Sequence, residues 1–218
     1  LSPDIFFSIA SLKKLYIEFL SYENAGVVGP SLYDESNKRR TNSSLSFLKQ
    51  KIYRNNFQRN IYKNLNKNLA EGNISCDYII GCAMLFKKSF FIEIGGFDER
   101  FFIYYEDNDI CDRIWQSNKM VLEIPSSKMI HLQGKSIKTN FRTNTFLSIS
   151  HRVSEYIYLN KNVTKFKLFS IIFINFFDFF QRFLFNLFLL NFKRSYKNFL
   201  RIISILLYIT KTYKFIKL

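Results

Sequence analysis

The segment FDERFFIYYEDNDICDR, residues 97–113, places six carboxylates in seventeen positions: Asp98, Glu99, Glu106, Asp107, Asp109 and Asp112. The chain around it is strongly basic, with 32 Lys and Arg against 17 Asp and Glu and a net charge of +15. Three ordinary roles account for acids in such a place. Asp107 and Asp109 suit the start of the helix that DICDRIWQSNK predicts over 109–119, where they cap it and meet the positive end of its dipole. Acids there also suit pairing with the surplus Lys and Arg, or a solvated face. Capping accounts for Asp109 or Asp112, but not for the FFIYY run directly before Glu106. Aromatic rings beside a carboxylate lower the local dielectric and raise its proton affinity. A carboxylate at a helix mouth, backed by Phe and Tyr, is thereby suited to general-base chemistry.

The elements that must position these acids are legible in the flanking sequence. Phe6, Ile9, Leu12, Leu15 and Phe19 recur at helical spacing, so a helix is expected over 6–22. AGVVGPSLYD (25–34) reads as a short buried strand stopped by Gly29-Pro30, and NKRRTNSS (37–44) as a loop. FLKQKIYRNNFQRNIYKNLNKNL (47–69) alternates aromatic and basic residues without an acid, as a helix or an arm, or simply a solvated face with a few anchors. CDYIIGCAMLFKK (76–88) is a strand-like apolar run, and SFFIEIGG a short helix ended by Gly95-Gly96. MVLEIP and KMIHL (120–125, 128–132) read as two strands separated by a Pro-Ser-Ser turn. Strands and helices alternate, so the first 150 residues are expected to be α/β.

The composition bounds the class. Aromatics make up 18% of 218 residues, ample for a core, while 7 Gly and 3 Pro exclude a collagenous or low-complexity chain. Cys76, Cys82 and Cys111 show no CxxC spacing and read as buried thiols in a reducing compartment. The opening LSPDIFFSIASLKKLYIEFL carries an acid and lysines within its apolar pattern, which is wrong for an export signal.

Residues 151–218 form a second, basic region. From Tyr156 to Leu218 there are eleven Lys or Arg and one acid, Asp178. KLFSIIFINFFDFFQRFLFNLFLL (167–190) is apolar enough to raise a membrane-spanning reading. At 100° per residue, however, Ser170, Asn175, Asp178, Gln181, Arg182 and Asn186 fall within one arc of about 160°. A helix lying in a membrane interface needs that sorting, whereas Asp178 and Arg182 are expensive in hydrocarbon. FLRIISILLYITK repeats the pattern, and Lys193, Arg194, Lys197, Lys214 and Lys217 suit an anionic membrane surface. The plainer alternative is a pair of helices packed on another protein.

The stretch CDYIIGCAMLFKKSFFIEIGGFDERFFIYYEDNDICDRIWQSNKMVLEIPSSKMIHLQGKS resembles the second half of the catalytic domain of family 2 glycosyltransferases, of the bacterial rhamnosyltransferase or galactofuranosyltransferase type. The resemblance rests on the G-x-x-x-L pattern from Gly81 to Leu85, GGFDE, F-x-Y-Y-E-D-x-D-x-C-x-R, a V-x-x-x-P strand end, and H-x-x-G-x-S from His131 to Ser136. LSPDI at the start resembles the family's L-N-P-D-x, with Ser2 where Asn is usual. It covers residues 1 to about 150 and implies an α/β, GT-A-type nucleotide-diphospho-sugar transferase fold. The family's opening strand-helix-strand segment has no counterpart ahead of LSPD. The chain is therefore expected to be N-terminally incomplete, a fragment or a natural truncation.

The resemblance implies roles residue by residue. Asp107 matches the base that removes the proton of the acceptor hydroxyl, with Glu106 orienting Asp107 or that hydroxyl. Asp98 and Glu99 fall where the acceptor binds. Asp4 matches the last carboxylate of a D-x-D-like metal motif, and His131 a histidine that completes the metal site, for Mg²⁺ or Mn²⁺. Asp4 as a plain helix cap and His131 as a structural residue are the competing readings.

The expected function is inverting transfer of a sugar from a nucleotide-diphosphate donor to a glycan or lipid-linked acceptor in cell-surface polysaccharide synthesis. The expected location is peripheral, on the cytoplasmic face of the cell membrane. The alternative is a catalytically inactive membrane-bound remnant or partner subunit of such an enzyme. Nucleic acid is not expected as a partner, because the basic residues lie on helices with large apolar faces and the acidic centre repels phosphate.

Overall fold

The computed structural model of the protein describes residues 1–40, 43–44, 74–132 and 140–215. The basic segment 47–69 lies outside these described residues. The chain divides into two compact units, one of Leu1–Asp98 and Asp107–Ser136, the other of Glu99–Glu106 and Ile137–Leu218.

The first unit is built on a mixed sheet. Its two long strands, β2 (Ala25–Tyr33) and β8 (Met120–His131), run parallel. The edge strand β1 (Ile5–Phe7) pairs antiparallel with β8 and β3 (Arg39–Arg40) antiparallel with β2. Short strands β5 (Ile74–Ser75) and β7 (Leu85–Phe86) add to β8 and β2, while β4 (Ser43–Ser44) and β6 (Tyr78–Ile79) pair with each other. Helix α1 (Ile9–Ser21) covers one face, α2 (Lys88–Glu93) and α3 (Glu106–Gln116) the other. Period-2 alternation assigns the strand side chains. Val28, Leu32, Leu122 and Ile124 pack with Leu15 and Phe19 of α1, whereas Val27 and Val121 pack with Ile110 and Ile114 of α3. The expected α/β class is the one observed.

Several boundaries differ from expectation for identifiable reasons. Helix α1 starts at Ile9 because the Ser8 side chain caps it, accepting from Ser11 N at 3.0 Å. Asp4 is therefore not its cap. Strand β2 runs straight through Gly29-Pro30, with a register shift against β8 between Pro30 and Ser31. The Pro-Ser-Ser segment opposite it is a bulge inside one strand, β8, rather than a turn between two. There the Ser127 hydroxyl donates to Ser11 O at 2.9 Å, tying the bulge to α1. The run 76–88 splits into β6 and β7, and the left-handed Gly95 and Gly96 follow α2 as expected.

The second unit is helical: α4 (Phe141–Asn162), α5 (Lys165–Phe188) and α6 (Phe192–Thr210). Segment Glu99–Glu106 is stitched to α4. The Ser154 hydroxyl donates to Ile103 O at 2.9 Å, Phe102 meets Phe146 edge-on at 5.2 Å, and Tyr105 lies 5.5 Å from Tyr158. Tyr156 is buried in this unit and receives Asn175 Nδ2 on its hydroxyl at 3.2 Å. Burial pushes that phenol up to about 12.

Candidate active site

Asp4 and His131 come together through sheet register. Ile5 lies opposite His131 across the β1–β8 ladder, and Leu132 N donates to Asp4 O at 3.0 Å. This sets His131 Nε2 3.3 Å from Asp4 Oδ2. The other carboxylate oxygen, Oδ1, accepts from the Ser2 hydroxyl at 2.6 Å. Asp4 is buried and His131 partly so. A carboxylate and an imidazole this close form a donor pair of the type that suits Mn²⁺ and, through the carboxylate, Mg²⁺. No group of three or more His, Cys, Asp or Glu gathers as a metal centre among the described residues.

Asp107 stands in the first turn of α3 and is half-buried. Its Oδ2 accepts from the backbone N–H of Gly81 at 3.1 Å. Its Oδ1 accepts from the Asn108 backbone N at 2.8 Å and from Asn108 Nδ2 at 3.0 Å. The residue after Gly81 bonds to Ser2, whose hydroxyl holds Asp4: Ser2 N donates to Cys82 O at 2.7 Å. Two consecutive residues, Gly81 and Cys82, thus connect the Asp107 end of the site to the Ser2–Asp4–His131 end. The Cys82 thiol registers both carboxylates. Burial pushes it up to about 12, and the charges of Asp4 and Asp107 add to the shift. An open pocket of about 330 Å³ lies alongside, lined by Gly81, Met84, Phe86, Lys88, Phe91 and Phe97.

The remaining acids separate by role. Asp109 is buried and pairs with Arg113 at 3.0 Å, one helical turn on, so it is an internal ion pair rather than a cap. Arg113 then donates to Ile94 O at 2.5 Å and to Gly96 O at 2.6 Å, fixing the end of α2 to α3. Asp98 is half-buried in the first unit; Glu99 is exposed and Glu106 half-buried in the second. Tyr104 and Tyr105, which precede Glu106, both have φ of +69°, a left-handed backbone that non-glycine residues seldom adopt. Their rings lie 5.0 and 5.5 Å from the imidazole of His151 on α4.

Reasoning from sequence missed Ser2, Asn108 and the peptide of Gly81 and Cys82. Gly81 stood inside a quoted pattern, but a backbone donor leaves no residue-type signal. Cys82 and Cys111 are buried thiols and Cys76 is half-buried, and none of the three is in a disulfide.

The first unit thus places a buried carboxylate–imidazole pair and a second carboxylate held by neutral donors beside one mixed sheet. Residues 65–135 match a family described as the N-terminal domain of galactosyltransferase. Two relatives from two strains of Mycobacterium tuberculosis, each named N-acetylglucosaminyl-diphospho-decaprenol L-rhamnosyltransferase, are 34% identical over 82 residues, which is 38% of this chain and 26% of theirs. The chain thus spans about a quarter of the length of the curated relatives it matches. A crystal structure of GalNAc-T7 with UDP, GalNAc and Mn2+ superposes with a TM-score of 0.39 at 16% identity, over 60% of this chain and 27% of that one.

Proposed function

We propose that this chain carries the base and the cation-binding pair of an inverting glycosyltransferase of family 2 type, acting in cell-surface polysaccharide synthesis. The donor is a nucleotide-diphosphate sugar and the acceptor a hydroxyl of a lipid-linked glycan. One observation carries the reading: Gly81 and Cys82 hold Asp107 on one side and the Ser2–Asp4–His131 group on the other. In the proposed reaction the acceptor oxygen bonds to the anomeric carbon as the bond from that carbon to the diphosphate oxygen breaks. The acceptor proton passes to Asp107. Asp4 and His131 would hold a divalent cation, which supplies neutralisation of the charge that develops on the leaving diphosphate. Asp98, in the same unit as Asp107, is a proposed contact to the acceptor. The lipid diphosphate in the relatives' name supports a lipid-linked acceptor here.

The test is calorimetric titration of the chain with uridine and thymidine diphosphates, with and without Mn²⁺, on wild type, Asp4→Ala and His131→Ala. Metal-dependent affinity that both substitutions weaken is the expected result. Affinity unchanged in both variants removes them from the cation site. No nucleotide affinity in the wild type favours the partner-subunit reading.

A further inference from the structure

The helical unit has a buried apolar core that includes Ile157, Leu159, Phe179 and Ile205, yet it also leaves a large apolar face exposed on α5. On α5, Phe166, Phe169, Phe173, Phe177, Phe180 and Phe188 are 43–83% exposed. At 100° per residue all six fall within an arc of about 100°. Part of the opposite side of the helix packs on its neighbours. Asn175 donates to Tyr156, Asn186 is half-buried, and Phe179 sits between the guanidinium groups of Arg152 and Arg201, at 5.4 and 5.1 Å from its ring. Ser195, Asn198 and Ser204 of α6 are also buried. Of the polar arc visible in the sequence, Asn175 is used for helix packing, while Gln181 and Arg182 face water. What is left outside is an aromatic ridge along the whole of α5.

Charge says what covers the ridge. Lys165 and Lys167 stand exposed at its start, and Lys193, Arg194 and Lys197 are exposed just past the turn at its end. The only acid on α5, Asp178, is paired with Arg182 at 2.8 Å. An aromatic face with cationic ends and no unpaired acid matches the boundary of an anionic bilayer, where rings enter the acyl region and ammonium groups meet phosphate. It does not match a second copy of the same face, which would oppose like charges.

By length and composition α5 alone among the described helices is long and apolar enough to cross a membrane. The Asp178–Arg182 pair argues against crossing. It lies at the middle of the helix with side chains 43% and 62% exposed, and a spanning pose would put it in hydrocarbon. Those two residues lie about 130° and 170° from the centre of the ridge, so in a flat pose they remain on the water side.

We propose that the aromatic ridge of α5 is the membrane-docking surface of this protein, seated flat in the interface of an anionic bilayer without crossing it. Segment Glu99–Glu106 belongs to the same unit through Ser154, Phe146 and Tyr158. Docking therefore sets the height of that segment above the lipid.

The experiment needs no activity, so its outcome is separate from that of the proposed reaction. The full chain is mixed with vesicles of phosphatidylcholine alone or with added phosphatidylglycerol. Binding is followed by co-sedimentation, and depth by Phe177→Trp in a Trp115→Phe background with lipids brominated at different acyl positions. The expected result is binding that needs the anionic lipid, falls about tenfold or more in Phe173→Glu/Phe177→Glu, and is quenched most by bromines near the headgroup. Quenching greatest at the acyl ends would show a spanning helix and overturn the proposal. So would vesicle binding that is absent, indifferent to lipid charge, or unchanged in the double variant. Self-association that competes with vesicles would assign the ridge to a second copy and also overturn it.

Discussion

Replacing Asp107 by Asn separates chemistry from architecture, because the structure specifies what each loses. The carboxylate accepts three hydrogen bonds, one on Oδ2 from Gly81 N–H and two on Oδ1 from Asn108. An asparagine that keeps its oxygen toward Asn108 turns its NH₂ toward the Gly81 N–H, donor against donor. One hydrogen bond to a charged acceptor is lost and two become neutral, a cost of about 1–2 kcal/mol at this half-exposed position. Against a typical stability of about 5–15 kcal/mol, that leaves the chain more than about 95% folded at 25 °C. Loss of a general base costs about 10²–10⁴ in rate, or about 3–5 kcal/mol of transition-state stabilisation. The catalytic effect therefore exceeds the folding effect. The assay is transfer of labelled sugar from nucleotide-diphosphate donor to a lipid-diphosphate acceptor, with thermal melting by circular dichroism and donor titration in parallel. The expected outcome is a kcat lower by at least about a hundredfold, a small drop in Tm and unchanged donor affinity. A kcat within about tenfold of wild type would refute the assignment, and a loss confined to donor affinity would move Asp107 to the donor side.

Three other outcomes follow from packing and charge. Gly26→Ala should destabilise by about 1–3 kcal/mol in urea unfolding, because a Cβ there meets Ile114 Cγ2 at 2.5 Å and Phe90 Cε1 at 2.8 Å. Glu123→Ala should cost about 2–3 kcal/mol by the same measurement, and Glu123→Gln less: the buried carboxylate accepts from Ser31 at 2.5 Å and Arg39 at 2.7 Å, but Arg39 is 30% exposed and can rehydrate. His151 lies below its ordinary 6.5 chiefly because burial disfavours its charged form, with Arg152 adding to this and Glu155 opposing. Its neutral form is thus favoured by folding, so its contribution to stability is present above pH 6.5 and is lost as pH falls through the depressed value. The Tm of wild type should fall more steeply than that of His151→Gln between pH 7 and about pH 5; parallel curves would show that His151 does not titrate with folding.

The α/β character was legible because hydrophobic period switches visibly between strands and helices, as at Leu15/Phe19 against Val27/Val28. Local rules failed where tertiary pairing overrode them. Gly29-Pro30 reads as a stop, yet parallel pairing with β8 carries the strand through by shifting register. The acidic segment stood out in the sequence, but not its division of labour. Asp109 looks like its neighbours, and only the position of Arg113 against Ile94 and Gly96 makes it structural. The closeness of Asp4 and His131 is a matter of strand register between the two ends of the first unit, which no local pattern contains. On α5 the periodicity was correct, but the sequence does not say which side packs on α4 and α6.

The choice of partners around Asp107 follows from the charge of the chain. A protein of net charge +15 offers every carboxylate a cation, and most of the described ion pairs take one: Asp34 with Arg40, Asp109 with Arg113, Glu123 with Arg39, Glu155 with Arg152 and Asp178 with Arg182. A guanidinium beside a carboxylate stabilises the anion and weakens it as a base. Asp107 is held instead by a backbone N–H and an asparagine, and no Lys or Arg pairs with it among the described residues. Neutral donors orient the carboxylate while leaving its charge uncompensated. Asp109, two residues on, shows the structural solution on the same helix. The contrast between the two supports the proposal that Asp107 is the acid that takes the acceptor proton.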